Sequence, residues 1–331
     1  MIPPKRTNTV LISVVAISSL FGLAFVGILV WFVLWFLPHS PRAFGMYARR
    51  GNARYEQGDY QGAVEAYNQA VETSPRDSRG YSLRAQAYYR FRSYRAALAD
   101  YAQVLKYATR DDIKRDAHYY SGECFRHIHQ WANAIPEYIA SIRLGEHRSN
   151  VYAFRGDSYY HMKDYRHALS DLNIAIDKDP KEVDLYISRG DIFLALHRYG
   201  PAVEDIAFAI RLDPDDAPLR GSLGWAQYLD GKIDAAIQTD REVLSMQDDL
   251  GSVHGNLGLC YAVRENWAAA QPEYARAAKL SSPSELAGVT QDVREVLKTK
   301  PNSVALKNAL STMTTAVTQG QAKNPRGLIR L

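Results

Sequence analysis

Two kinds of residue recur in this chain at a spacing that invites a chemical reading. His127 and His161 lie 34 positions apart, and so, in turn, do Glu123, Asp157 and Asp191. Imidazole pairs hold metal ions, and rows of carboxylates hold cations, so each series is a candidate site. No third metal ligand accompanies the histidines, so with Arg126 and His129 beside them they read as solvated groove side chains and no metal site is expected. Cys124 and Cys260 are too sparse for a disulfide framework and read as small buried hydrophobes. No P-loop, dinucleotide fingerprint or nucleophile elbow is present.

The interval of 34 belongs to more than those residues. Ala63, Ala97, Ala134, Ala168, Ala202, Ala236 and Ala270 are separated by 34, except for one step of 37 between Ala97 and Ala134. Twelve positions before each stands another small residue: Gly51, Ala85, Gly122, Gly156, Gly190, Gly224 and Gly258. Three before each comes Tyr60, Tyr94, Trp131, Tyr165, Tyr199, Ile233 or Trp267. Four after each comes Tyr67, Tyr101, Tyr138, Leu172, Ile206, Asp240 or Tyr274. Offsets of four and seven place residues on one face of a helix. Each unit therefore reads as helix, short turn, helix, turn, and Pro75, Pro180 and Pro214 close three units because proline cannot continue a helix. Pro136 and Pro272 are read in the first turn of a helix, where a missing N–H costs little.

This pattern resembles the tetratricopeptide repeat, with small residues at positions 8 and 20, aromatics at 17 and 24, and proline at 32. The seven units are 44–77, 78–111, 115–148, 149–182, 183–216, 217–250 and 251–284. The fold class expected is all-α, an α-solenoid in which neighbouring helical pairs bury the apolar faces that one pair cannot bury alone. Residues 285–320 read as C-terminal capping helices, Ser303 starting the second, and 321–331 as a basic tail expected to be disordered. Arg at position 7 accompanies Asp at position 23 in repeats 2, 4 and 5. This predicts inter-helix ion pairs Arg84–Asp100, Arg155–Asp171 and Arg189–Asp205. Repeat 6 departs most from the pattern, with Asp240 where an apolar or aromatic residue stands elsewhere.

The resemblance implies that partners lie along a concave face lined by first helices. Those positions carry Asn52, Tyr55, Gln86, Tyr89, Glu123, Arg126, His127, Asp157, Tyr160, His161, Asp191, Trp225 and Tyr228. Glu123, Asp157 and Asp191 would form an acidic ladder, followed by an apolar end at Trp225, Leu229, Leu259 and Val263. An extended peptide or partner helix with a basic middle and an apolar end would suit it; a solvated groove with no preferred ligand is the alternative. The clamp by which related proteins hold chaperone tails needs Lys or Arg at position 5. Here that position carries Ala48, Ser82, Tyr119, Ala153, Ile187, Gly221 and Gly255.

Ahead of the repeats, Val10 to Leu37 carry no charge over 28 residues, long enough to span a bilayer. Trp31, Phe32, Trp35 and Phe36 gather at its end, as aromatic rings do at the headgroup level. Residues 1–9 form a short basic tail and 10–37 a transmembrane helix, giving a single-pass membrane protein. Arg42, Arg49, Arg50 and Arg54 after the span favour a cytoplasmic repeat domain, whereas a short basic N-terminus with Lys5 and Arg6 favours the reverse; the expectation adopted is repeats outside the cytoplasm. Residues 1–43 and 321–331 each carry +3 and the rest of the chain −2, so the nearly neutral middle excludes bulk attraction to nucleic acid. With the span and repeats accounted for, no room is left for a sizeable catalytic domain. A non-enzymatic scaffold or assembly factor is expected, with no cofactor and no small-molecule substrate. A subunit packed permanently in a larger membrane complex, or a regulatory subunit of an envelope enzyme, is the alternative.

Overall fold

The structure, a computed structural model, describes residues 41–323. Among these residues there are sixteen helices and no strand. The uncharged run 10–37, its flanking tail and most of the basic C-terminal tail lie outside the described residues.

The helices fall into two compact units, ending and beginning at His147 and Arg148. The first unit holds α1 (Pro41–Glu56), α2 (Tyr60–Thr73), α3 (Ser78–Arg90), α4 (Tyr94–Tyr107), α5 (Asp111–His127) and α6 (Trp131–Arg143). The second holds α7 (Ser149–His161), α8 (Tyr165–Lys178), α9 (Val183–Ala195), α10 (Tyr199–Leu212), α11 (Ala217–Leu229), α12 (Ile233–Met246), α13 (Gly251–Val263), α14 (Trp267–Leu280), α15 (Pro283–Thr299) and α16 (Val304–Lys323). Within each unit every odd-numbered helix pairs with the next, and successive pairs stack.

Small side chains set this packing. The seven alanines of the 34-residue series are all 0% exposed. Glycine opposite them permits a close helix crossing: a Cβ on Gly122 would stand 2.7 Å from the Tyr138 ring. Asp59, Asp164, Asp216 and Asn266 start second or first helices by accepting backbone N–H bonds, and Ser282 with Glu285 forms a reciprocal capping box. The turn inside each repeat ends with one residue at positive φ. Gly58 and Gly231 fill it in two repeats, but Arg92, His129, Lys163, His197 and Glu265 adopt φ of 56–60° in the other five.

One sequence expectation changes. Pro136 and Pro272 sit six residues into α6 and α14, past the first turn, so Ala132 and Ala268 lose a helical N–H partner. The capping helices do not continue the stack as an eighth repeat. α15 makes little contact with α14 and packs instead on α13 and α16, while α16 covers α14 with Ala305, Leu306, Ala309 and Met313. Ser303 Oγ accepts the Leu306 N–H and starts α16.

Candidate partner-binding groove

The three ion pairs hold the two helices of repeats 2, 4 and 5 together. Arg84 grips Asp100 through Nε and Nη2 at 2.8 and 2.7 Å, Arg155 grips Asp171 at 2.8 and 2.6 Å, and Arg189 grips Asp205 at 2.8 and 2.7 Å. Each carboxylate is buried and each guanidinium only partly exposed, the setting in which planar two-point pairing is strongest. Repeats 3 and 7 use a histidine instead of the arginine to link their two helices: His118 Nδ1 meets Glu137 at 2.7 Å and His254 Nδ1 meets Glu273 at 2.6 Å. These pairs were legible in the sequence as like residues 136 positions apart, His118 with His254 and Glu137 with Glu273.

A second link, between positions 9 and 24 of each repeat, decides what the expected groove residues do. In repeat 1 the Tyr67 hydroxyl donates to Asn52 at 2.8 Å. In repeat 3 the Tyr138 hydroxyl donates to Glu123, whose carboxylate also takes two bonds from Arg126 at 3.2 and 3.3 Å. Glu123 is 4% exposed, so it is an interior anchor and not a rung of an open acidic ladder. Leu259, expected at the apolar end of the groove, is likewise buried, at 2%. In repeats 2 and 7 position 9 is Gln86 or Leu259, and the buried hydroxyls of Tyr101 and Tyr274 find no partner. In repeat 6 Trp225 stands opposite Asp240, which is 0% exposed with both oxygens unpartnered; desolvation pushes its pKa up to about 8.

Other expected residues form local clusters in the first unit. Tyr55 meets Tyr60 edge-on at 5.3 Å. Tyr89 sits among Tyr94, Tyr120 and His127, and His127 stacks on Tyr94 at 4.6 Å. Loss of surrounding water, then Arg126, lowers the His127 pKa. In the second unit His161 approaches Asp157 at 3.4 Å, and Tyr160 packs on Tyr165. Cys124 and Cys260 are free and 0% exposed; burial raises both thiols to about 12, which keeps them protonated and unreactive.

The open part of the second unit's groove lies between α9, α11, α13 and α15. A cavity of about 510 Å³ is lined by Asp191 and Leu194 of α9, Gly221, Ser222 and Trp225 of α11, Ser252 and Asn256 of α13, and Asp292 of α15. Trp225 and Asp292 also bound a second cavity of about 430 Å³, with Tyr228, Leu229, Ile233, Val263 and Val296. Trp225 stacks on Tyr228 at 5.3 Å between their centroids, which fixes the indole as a wall. A smaller space of about 80 Å³ separates Asp157 and Tyr160 from Asp191 and Ser188. Sequence reasoning reached Asp191, Trp225 and Tyr228 but missed Asp292, because nothing in the repeat period shows that α15 turns back towards the groove.

Stacked antiparallel helix pairs with groove-lining first helices define an α-solenoid. Residues 51–90 match the model of the TPR repeat, and residues 82–148 and 188–250 match that of the tetratricopeptide repeat. These matched segments, which fall in both units, are tetratricopeptide repeats. Similar solved structures include a tetratricopeptide repeat protein from Parabacteroides merdae, 14% identical, with a TM-score of 0.53 over 82% of this chain and 99% of that one. YrrB, described as a TPR protein with an unusual peptide-binding site, is 18% identical, with a TM-score of 0.50 over 56% of this chain and 95% of its own. MamA from Desulfovibrio magneticus is 17% identical, with a TM-score of 0.50 over 54% and 98%. At such identities the likeness is one of fold. No curated protein is significantly similar to the chain.

Proposed function

We propose that this chain is a membrane-tethered, non-catalytic scaffold that presents the groove side of its first helices to an extended peptide or helix of another protein. The carrying observation is the pair of adjoining cavities on that side of the second unit, walled by a fixed tryptophan and open carboxylates. Tryptophan and tyrosine in such pockets are the usual anchors of protein recognition. The uncharged run from Val10 to Leu37 supports the tether. The peptide-binding site described for YrrB is in keeping with a groove ligand.

A photocrosslinking side chain at Ser222, in the cavity wall, and another at Arg241, exposed on α12, compare the two faces in native membranes. Protein adducts from Ser222 and none from Arg241 are expected; adducts from Arg241 alone would reject the groove. Removal of residues 1–37 is expected to release the chain from the membrane fraction, and retention there would reject the tether.

A further inference from the structure

The two adjoining cavities differ in character. The cavity of about 510 Å³ holds two carboxylates, Asp191 and Asp292, and no basic side chain. Neither carboxylate takes part in any hydrogen bond or ion pair with a described residue. Asp100, Asp171, Asp205, Glu123, Glu137 and Glu273, by contrast, all hold a partner. Desolvation by the surrounding walls raises the pKa of both Asp191 and Asp292, although Asp191 keeps an exposed flank. A carboxylate on the wall of a partly dried space with no cation in its lining is stabilised by a cation placed beside it, and this cavity offers two such carboxylates. Trp225 belongs to the same wall, and an indole is the aromatic group that best attracts an ammonium or guanidinium.

The cavity of about 430 Å³ is mostly apolar, lined by Leu229, Ile233, Val263 and Val296. Its one cation, Lys300, stands at the rim and donates to the Val263 carbonyl at 3.0 Å. Because Trp225 and Asp292 belong to both linings, a ligand passing from one cavity to the other crosses that indole. Together the volumes fall in the range of ordinary ligand sites and suit two neighbouring side chains. Both cavities exist because α15 leans on α13 instead of stacking on α14.

We propose that this double cavity selects a partner segment in which a lysine or arginine is closely followed by a bulky apolar residue. The cation lies in the cavity lined by Asp191, Asp292 and Trp225, and the apolar group fills the neighbouring space. The inference rests on the groove reading above and adds the identity of the side chains read.

The test is a selection of a randomised nonapeptide library on the full-length chain in detergent, followed by affinity measurement of the enriched peptides. Peptides pairing Lys or Arg with a bulky apolar residue are expected. Asp191→Asn with Asp292→Asn should weaken them about tenfold to a hundredfold. Replacing the peptide's basic residue by Gln should cost as much on the native chain and nothing more on the Asn variant. Both Asn side chains match the originals in size, and an unchanged melting curve verifies the fold. Enriched peptides without a basic residue, or equal affinity for the Asn variant, would overturn the cation site. If those peptides still lost affinity on Trp225→Ala, the groove reading would survive that failure. Affinity indifferent to Trp225→Ala, or no enriched peptide at all, would overturn both.

Discussion

Repeats 3 and 7 carry nearly the same lettering in the two units, and they behave differently at one point. His118 and His254, Gly122 and Gly258, Cys124 and Cys260, Trp131 and Trp267, Pro136 and Pro272, Glu137 and Glu273, and Tyr138 and Tyr274 each stand 136 residues apart. Both repeats bind their helices through the same His–Glu contact. Yet position 9 is Glu123 in one and Leu259 in the other. In repeat 3 the buried tyrosine hydroxyl, the carboxylate and Arg126 satisfy one another; in repeat 7 the Tyr274 hydroxyl is left with no partner. Repeat 5 supplies the third case, with an acid at position 9 but Ile206 and Leu194 in place of the tyrosine and arginine. Asp191 therefore faces the cavity unpaired. An acidic residue in a groove position is thus an anchor or an open site according to what stands at positions 12 and 24 of its own repeat.

The largest effect is expected of Glu123→Leu. It strands the Tyr138 hydroxyl and removes the buried carboxylate that Arg126 binds, and a loss of about 2–4 kcal/mol is expected in denaturant unfolding. Asp191→Leu, from the same repeat position, should cost less than about 0.5 kcal/mol or stabilise; equal losses would show that the distinction is false. Asp240 tests the extreme of an unpaired acid, and Asp240→Leu should stabilise by about 1–3 kcal/mol at neutral pH. The sign follows from linkage. The folded carboxyl binds its proton up to about pH 8 while the unfolded one releases it near 3.8, so stability falls as pH rises through that window. The gain from Asp240→Leu should therefore be small below pH 4 and level off above 8. A pH-independent gain would mean that the carboxyl is not protonated in the fold.

Smaller effects sharpen the same contrast. Tyr138→Phe should cost about 1–2 kcal/mol, whereas Tyr274→Phe should be neutral or slightly stabilising, because only the first hydroxyl has an acceptor. Paired thermal melts would decide it, and equal costs would show that Tyr274 has an acceptor after all. The smallest effect concerns a turn residue common to both units. Lys163 has φ of 60°, and Lys163→Gly should gain about 0.5 kcal/mol through relief of the left-handed backbone. A loss on the same melts would show that the turn is unstrained.

Much was legible in the residues themselves. The alanine and glycine columns determined the helix pairs, because only small side chains admit so close a crossing, and a fixed period repeats that crossing along the chain. The Arg–Asp pairings followed from the same register, since positions 7 and 23 meet wherever two helices cross alike. What sequence period leaves open is anything that depends on a third element. Whether Glu123 faced solvent depended on Tyr138 and Arg126 reaching it from two directions. Whether the groove closed into a cavity depended on where α15 came to rest. Local spacing dictates neighbours within a repeat, but burial, the pairing of charges and the shape of an open site are sums over everything packed around them, and only the tertiary structure performs that sum.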